Sequence, residues 1–203
     1  MNDKQYELIV MYSKVKMTKL GVHAWAHIQR VVHLCELITK KEGLNVDLDV
    51  VRIAALLHDI AKDKETRSTD HGDKGALMAE ELLQSLGFSD KKTKLITDAI
   101  RAHTNRDEPA STEAKILRDA DFIDKLGAVG VATVFIKASL TSRTIEEVAE
   151  SYESDADVES AVGKHISWLK KPYLHTKTAQ EMAEKRNKIV TAFFDALKKE
   201  LNE

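Results

Sequence analysis

The sequence predicts an all-α protein. Only 2 prolines and 8 glycines interrupt the 203 residues, and 32% of the residues are charged, a balance that favours long helices over many short strands and turns. Apolar residues recur at three- and four-residue spacing, as the buried face of a helix requires. Because no linker or repeat interrupts the chain, we expect one helical bundle over 1–203, with a core at 20–140 and C-terminal helices at 143–202 packed on it.

Capping residues mark the predicted helices of the N-terminal half. One helix is predicted over 4–19, and a second over 23–42 ends at Gly43, where a left-handed cap residue belongs. Asp47 is placed to cap a third helix, which is apolar almost all round and is therefore expected to be central.

The rest of the chain is predicted to alternate helices with short polar breaks. The polar stretch 62–73 has no periodicity and is predicted to be a surface loop. Further helices are predicted at 76–86, 116–140 and 162–169. Three more are predicted from their capping residues: one that begins after Ser89 or Asp90 and runs to His103, one capped by Thr144 with Glu147, and one capped by Thr178 with Glu181.

Composition excludes several classes of function. A formal net charge of −2 gives no positive field to hold a nucleic acid polymer. No apolar run approaches the roughly 20 residues that span a bilayer, and the N-terminal residues are polar, so we expect a cytoplasmic protein. Cys35 is the only cysteine, which excludes a disulfide framework. A glycine-rich phosphate loop, a G-x-S-x-G elbow and an H-E-x-x-H motif are all absent from the sequence.

The third predicted helix ends in a polar doublet, His58 and Asp59, directly after a run of apolar residues. Leaving either side chain buried without a partner would cost about 2 kcal/mol or more, so both are expected to have strong partners. A metal ion would satisfy both side chains.

Three further polar side chains interrupt apolar helix faces, namely His27, His103 and Asp121. If the helices bring them to the doublet, two of these imidazoles and the two carboxylates would form a mixed set suited to Mn²⁺, Fe²⁺, Co²⁺, Ni²⁺ or Mg²⁺ rather than to a closed tetrahedral zinc site. Each residue also has an ordinary interpretation. A single histidine in such a place is more often a hydrogen-bonded core residue, and the acids around Asp121 could form a solvated face.

Two other histidines have open roles at this level. His23 precedes His27 by four residues, so the two could bind a metal together, although a pocket-lining role for His23 is favoured. His71 is either an exposed loop residue or one that reaches a metal or a bound phosphate.

A series of phrases in a fixed order resembles the HD-domain superfamily of metal-dependent phosphohydrolases, in its small bacterial and archaeal branch. The phrases run from His23 to Arg186: HAWAHIQRVVHLCELI, AALLHDIAK, DHGDKGALMAEELL, ITDAIRAHT, EAKILRDADFIDKLGAVGVA and HTKTAQEMAEKR. One departure is visible, since His23 is followed by Ala24 where this branch often has aspartate.

The resemblance implies a helical bundle of the HD-domain type in which four residues ligate a divalent metal ion. These are His27, His58, Asp59 and Asp121. His71 and His103 match additional histidines that touch phosphate or support a second metal in many members, and Lys62 matches a frequent lysine after the doublet.

The expected activity is hydrolysis of a phosphoester or phosphoanhydride, most simply in a nucleotide, by metal-activated water. We expect Asp59, or another carboxylate beside that water, to accept its proton, with Lys62 and His103 as further catalytic residues. The residues expected to contact substrate are Arg30, Lys62, His71, His103 and His23.

The sequence leaves the type of reaction open. A 5′-nucleotidase and a nucleoside triphosphate pyrophosphohydrolase both fit the expected activity. A metal- and nucleotide-binding sensor without turnover is the alternative from another class, and a helical interaction protein is a third. The protein is expected to be a monomer or a homodimer.

Overall fold

The computed structural model describes residues 1–17, 24–62, 71–104, 108–154, 160–170 and 173–203, and these ranges contain helices and no strand. The all-α prediction is confirmed. The ten helices within these ranges are α1 Asp3–Met17, α2 Trp25–Glu42, α3 Leu48–Leu57, α4 His71–Ser85, α5 Asp90–Ala102, α6 Thr112–Asp124, α7 Gly127–Leu140, α8 Ile145–Ser154, α9 Ala161–Lys170 and α10 Lys177–Leu201.

Contacts within the chain group it into two compact units, Met1–Asp121 and Phe122–Glu203. The first unit holds α1 to α5 and α6 as far as Asp121, and with them every residue predicted to ligate a metal. A single domain over 1–203 remains a prediction.

Helix α3 is the centre of the first unit. It begins at the predicted cap, since the side chain of Asp47 accepts hydrogen bonds from the backbone N–H groups of Asp49 and Val50. The helix contacts α1, α2, α4 and α5. Seven of its side chains are buried: Val50, Val51, Ile53, Ala54, Ala55, Leu56 and Leu57. A helix covered on several sides is apolar all round, so the prediction that α3 is central is confirmed.

Other predicted caps are also present. Gly43 ends α2 with φ of 63°, the left-handed conformation that glycine adopts without steric cost. Ser89, rather than Asp90, caps α5 by accepting from the N–H of Lys92. Thr144 and Glu147 exchange two hydrogen bonds of 2.8 and 3.2 Å, which makes the predicted capping box.

Three predicted boundaries were wrong. His71 opens α4 instead of ending a loop, because the polar residues of a first helical turn carry no apolar periodicity. The helix predicted at 116–140 is broken at Gly127, whose φ of 67° ends α6 and starts α7. The cap of α10 is Thr176, which accepts from the N–H of Ala179, and Thr178 lies inside the helix.

No helix in the described ranges combines the length and the apolarity needed to cross a membrane.

Candidate metal centre

His58 occupies the cap position immediately after the last residue of α3. Its Nδ1 lies 2.8 Å from the carbonyl oxygen of Ala55, and since a carbonyl only accepts, Nδ1 must donate. In the neutral ring, Nε2 therefore carries the lone pair. Burial lowers the pKa of His58 to about 3, so this side chain is neutral at pH 7.

His103 repeats this arrangement at the end of α5. It follows Ala102, and its Nδ1 donates to the carbonyl oxygen of Ile100 at 2.5 Å. Within the described residues, Nε2 of His58 and Nε2 of His103 are buried and have no hydrogen-bond partner. A histidine that ligates a metal commonly donates its other ring N–H to a carbonyl in this way. In both rings Nδ1 is therefore the atom bound to the backbone carbonyl, and Nε2 is the atom turned towards the candidate site.

Four ligand atoms meet beside His58, and we call these residues the first group: His27 from α2, His58 and Asp59 from the turn after α3, and Asp121 from α6. All four are buried. Nε2 of His27 lies 3.7 Å from Oδ2 of Asp59 and 3.4 Å from Oδ1 of Asp121. Nε2 of His58 lies 3.7 and 3.8 Å from the same two oxygens.

These separations suit a shared cation. Ligand atoms that bind one ion at about 2.1 Å each lie roughly 3 to 4 Å apart. Two ring nitrogens this close to two carboxylate oxygens also need a proton or a cation among them. His27, His58 and Asp59 alone already form a cluster that could hold a metal ion.

The other oxygen of Asp59 faces a second group, made of Asp59, His71 and His103. Oδ1 lies 3.3 Å from Nε2 of His71, at the start of α4, and 3.4 Å from Nε2 of His103. This trio could also hold a metal ion. Asp59 thus belongs to both groups, with Oδ2 towards the first and Oδ1 towards the second.

Lys62 provides the positive charge beside the shared carboxylate. Its Nζ lies 3.0 Å from Oδ2 of Asp59, and its side chain is 19% exposed, so it connects the buried oxygen with solvent. Burial alone would raise the pKa of Asp59, but the positive charge of the Lys62 ammonium opposes it, and that pKa lies well below its usual value. Asp59 is therefore a carboxylate throughout the physiological range.

The structure separates the predicted site residues into three kinds. The first group, His71, His103 and Lys62 all surround Asp59. Arg30 is exposed on α2 one turn after His27, so it is not part of the buried groups and its contact with substrate stays a prediction. His23 and residues 63–70 of the predicted loop lie outside the described residues.

Two ordinary interpretations are now excluded. Asp119 and Asp121 are 0% and 3% exposed, so the acids of α6 do not form a solvated face. His71 is in a helix beside Asp59 and is not an exposed loop residue.

Gly72, next to His71, allows the start of α4 to pack closely against the end of α5, a role that the sequence did not reveal. A Cβ at Gly72 would overlap Oγ1 of Thr104 and lie 3.3 Å from the carbonyl oxygen of Arg101, at the end of α5. A Cβ at Gly75 would lie 3.5 Å from the carbonyl oxygen of His58, an ordinary contact. Only Gly72 is therefore required for the close contact between α4 and α5.

The two glycines give a matched pair of substitutions. Gly72→Ala should lower the free energy of unfolding by about 1–3 kcal/mol, because the methyl group overpacks the contact with α5. Gly75→Ala should be neutral or raise it by up to about 1 kcal/mol, since alanine favours the helix and meets no clash. Urea unfolding of both variants measures the difference, and equal stabilities would contradict the assigned role of Gly72.

Several helices bring histidine and carboxylate side chains together at one buried point. This arrangement makes the protein a helical protein with a candidate divalent-metal site. The model of the HD domain family matches residues 24–126, which include the whole first group and His71 and His103. The chain belongs to the HD domain family.

Relatives and solved structures of this family resemble the chain over most of its length. YpgQ of Bacillus subtilis is 30% identical over an alignment of 190 residues that covers 88% of this chain and 84% of YpgQ. The crystal structure of YpgQ in complex with ADP has a TM-score of 0.71 and 27% identity, and the match covers 97% of this chain and 95% of that one. A predicted HD superfamily hydrolase from an uncultured Thermotogales bacterium has a TM-score of 0.67 and 27% identity, covering 99% of each chain.

One relative matches only in part. Ribonuclease Y of Borreliella afzelii is 35% identical over 103 residues, which are 51% of this chain but only 19% of the ribonuclease. That likeness therefore concerns a shared region and not the whole of the larger enzyme.

Proposed function

We propose that the protein is a metal-dependent phosphohydrolase that cleaves a phosphoester or phosphoanhydride bond of a nucleotide. The observation that carries the proposal is the first group, in which the buried Nε2 atoms of His27 and His58 lie 3.4 to 3.8 Å from oxygens of Asp59 and Asp121. The HD superfamily hydrolase from the Thermotogales bacterium, alike over nearly its entire length, supports hydrolysis as the class of reaction.

His27, His58, Asp59 and Asp121 would hold a divalent ion, with Mn²⁺, Fe²⁺, Co²⁺, Ni²⁺ and Mg²⁺ all suited to this mixture of nitrogen and oxygen. When bound, such an ion supplies a water whose pKa is lowered towards about 7 and a positive charge for a phosphoryl oxygen. The protein holds His58 in the tautomer that a metal ligand needs, because Nδ1 of His58 carries the proton and donates a hydrogen bond to a backbone carbonyl.

Lys62 is the residue best placed to meet the substrate's negative charge. Its ammonium lies on the solvent side of Asp59 and is partly exposed, so it can turn from the carboxylate to a phosphate oxygen. Arg30, His23, His71 and His103 are proposed to add further contacts to substrate.

The proton of the attacking water needs an acceptor near Asp59. Asp59 itself was predicted for this role, but its low pKa makes it a weak base. The imidazoles of His71 and His103, both within 3.4 Å of Oδ1 of Asp59, are the alternative acceptors.

A nucleotide is the proposed substrate because YpgQ, whose structure matches 97% of this chain, was crystallised with ADP. The net charge of −2 favours a small substrate over a nucleic acid polymer.

A panel of nucleoside mono-, di- and triphosphates, each with Mn²⁺, Co²⁺, Ni²⁺ or Mg²⁺, tests the proposal. A 5′-nucleotidase would release inorganic phosphate and a nucleoside from monophosphates, whereas a pyrophosphohydrolase would release pyrophosphate and a monophosphate from triphosphates. A nucleotide that binds to the metal-loaded protein and is recovered intact after long incubation would instead indicate a sensor.

Lys62→Met is expected to lower kcat/KM by about tenfold to a hundredfold, because it removes one hydrogen bond to a charged group of the substrate. Metal content should stay the same, because the lysine is not a metal ligand. Lys94→Met is the matched control, since Lys94 makes an ion pair with Asp98 at 2.9 Å on the exposed surface of α5. Full activity of Lys62→Met would exclude the proposed role in substrate binding.

A further inference from the structure

Helix α1 turns a stripe of fully buried residues inwards, and one of them is polar. Ile9, Ser13 and Met17 recur every four residues and are each 0% exposed, and α1 contacts α3. A buried hydroxyl costs free energy unless it is hydrogen-bonded. Ser13 is therefore expected to have a specific partner at this contact.

That partner is a carbonyl at the end of α3. Oγ of Ser13 donates to the carbonyl oxygen of Leu56 at 2.5 Å, although the two residues are 43 positions apart in the sequence. Leu56 is two residues before His58.

The carbonyl of Leu56 needs an outside donor because α3 stops at Leu57. In a continued helix it would accept from the N–H of Ile60, but that group donates to the carbonyl of Leu57 instead. The hydroxyl of Ser13 takes its place.

Three successive carbonyls at the end of α3 thus have three different donors. Nδ1 of His58 donates to Ala55, Ser13 to Leu56, and the N–H of Ile60 to Leu57. Of these donors, only Ser13 comes from another helix. It fixes the end of α3 relative to a neighbouring element, and the metal-ligating doublet follows directly from that end.

We propose that Ser13 is a positioning residue of the metal centre, holding the end of α3 so that His58 and Asp59 meet His27 and Asp121. This inference rests on the proposed function, because it presumes that the first group binds a metal. Ser13 acts through the backbone of Leu56 and touches none of the four ligands.

Co²⁺ binding to Ser13→Ala tests this role without relying on turnover. We expect the dissociation constant for Co²⁺ to rise about tenfold, the lower end of the effect seen when an outer-shell partner of a metal site is removed. The visible absorption of the bound Co²⁺ should also change, since the ligands no longer sit in the same arrangement.

Ser151→Ala is the matched control. Ser151 is also a buried serine that donates to a helix carbonyl, that of Glu147 at 2.8 Å, but it belongs to the unit Phe122–Glu203. This variant should bind Co²⁺ with the wild-type affinity and spectrum, even if the substitution lowers its free energy of unfolding.

The outcomes separate the inference from the proposed function. If Ser13→Ala is folded by circular dichroism and binds Co²⁺ as the wild type does, with the same spectrum, the positioning role is overturned. If the wild type itself binds no divalent metal, the proposed function fails. Should Ser13→Ala not fold, Ser13→Cys keeps a weaker donor in the same place. A severalfold weaker Co²⁺ affinity of this variant would support the role, and wild-type affinity would overturn it.

Discussion

Asp59→Asn is expected to remove the bound metal and to lower kcat/KM by about a thousandfold or more, because a divalent ion contributes several kcal/mol of transition-state stabilisation. Among the residues that the structure describes, Asp59 is the one whose two oxygens face both groups of candidate ligands. Asparagine has the same shape but no charge, and its NH₂ group would face a nitrogen or the ion. Metal content by mass spectrometry and turnover of nucleotide, measured on the same samples, check the prediction.

Asp98→Asn is the control for Asp59→Asn. Asp98 lies on α5 and is half-exposed, where it pairs with Lys94. This change should leave metal content and turnover unchanged. An Asp59→Asn protein that retains both its metal and its activity would exclude Asp59 as a ligand.

Divalent metal should stabilise the metal-free protein strongly. A ligand that binds only the folded state adds about 2.7 kcal/mol to the free energy of unfolding at a concentration of 100 times its Kd. The physical reason is that the buried Nε2 of His58, which faces the carboxylates of Asp59 and Asp121, gains a positively charged partner when the metal binds. Urea unfolding after chelation, with and without added Mn²⁺ or Co²⁺, measures the gain.

The same titration separates specific from non-specific stabilisation. Asp59→Asn should gain much less than the wild type at each concentration, whereas Asp98→Asn should gain as much. An equal gain for both variants would place the metal elsewhere, and no gain at concentrations that support turnover would contradict a buried site.

The parts of the fold that local sequence determines were predictable. Asp47 begins α3, the apolar run that follows makes this helix central, and Gly43 ends the helix before it. Each depends on the chemistry of a few neighbouring residues. The choice between Thr176 and Thr178 was missed because both threonines precede helical residues, and the backbone conformation at Thr176 decides between them.

The candidate site was predictable as a set of residues and not as an arrangement. Side chains that interrupt apolar stripes indicated His27, His103 and Asp121, because a buried polar group needs a partner. The division of Asp59 between two groups depends on how α3, α4 and α5 pack. No local pattern reports that packing.

Residues that act through distant contacts carried no usable sequence signal. Ser13 is one serine among the polar residues of α1, and its importance comes from a carbonyl 43 positions away. Gly72 similarly matters only because α5 ends beside it. A stretch of polar residues with no periodicity hid the start of α4, so His71 was placed in a loop.

The central claim is that the first group makes this protein a metal-dependent phosphohydrolase. Product analysis after incubating the metal-loaded wild-type protein with nucleotides, beside the metal-free protein and Asp59→Asn, tests it most directly. We expect phosphate or pyrophosphate to be released only by the metal-loaded wild type. Recovery of every nucleotide intact from a protein shown to contain its metal would contradict the claim.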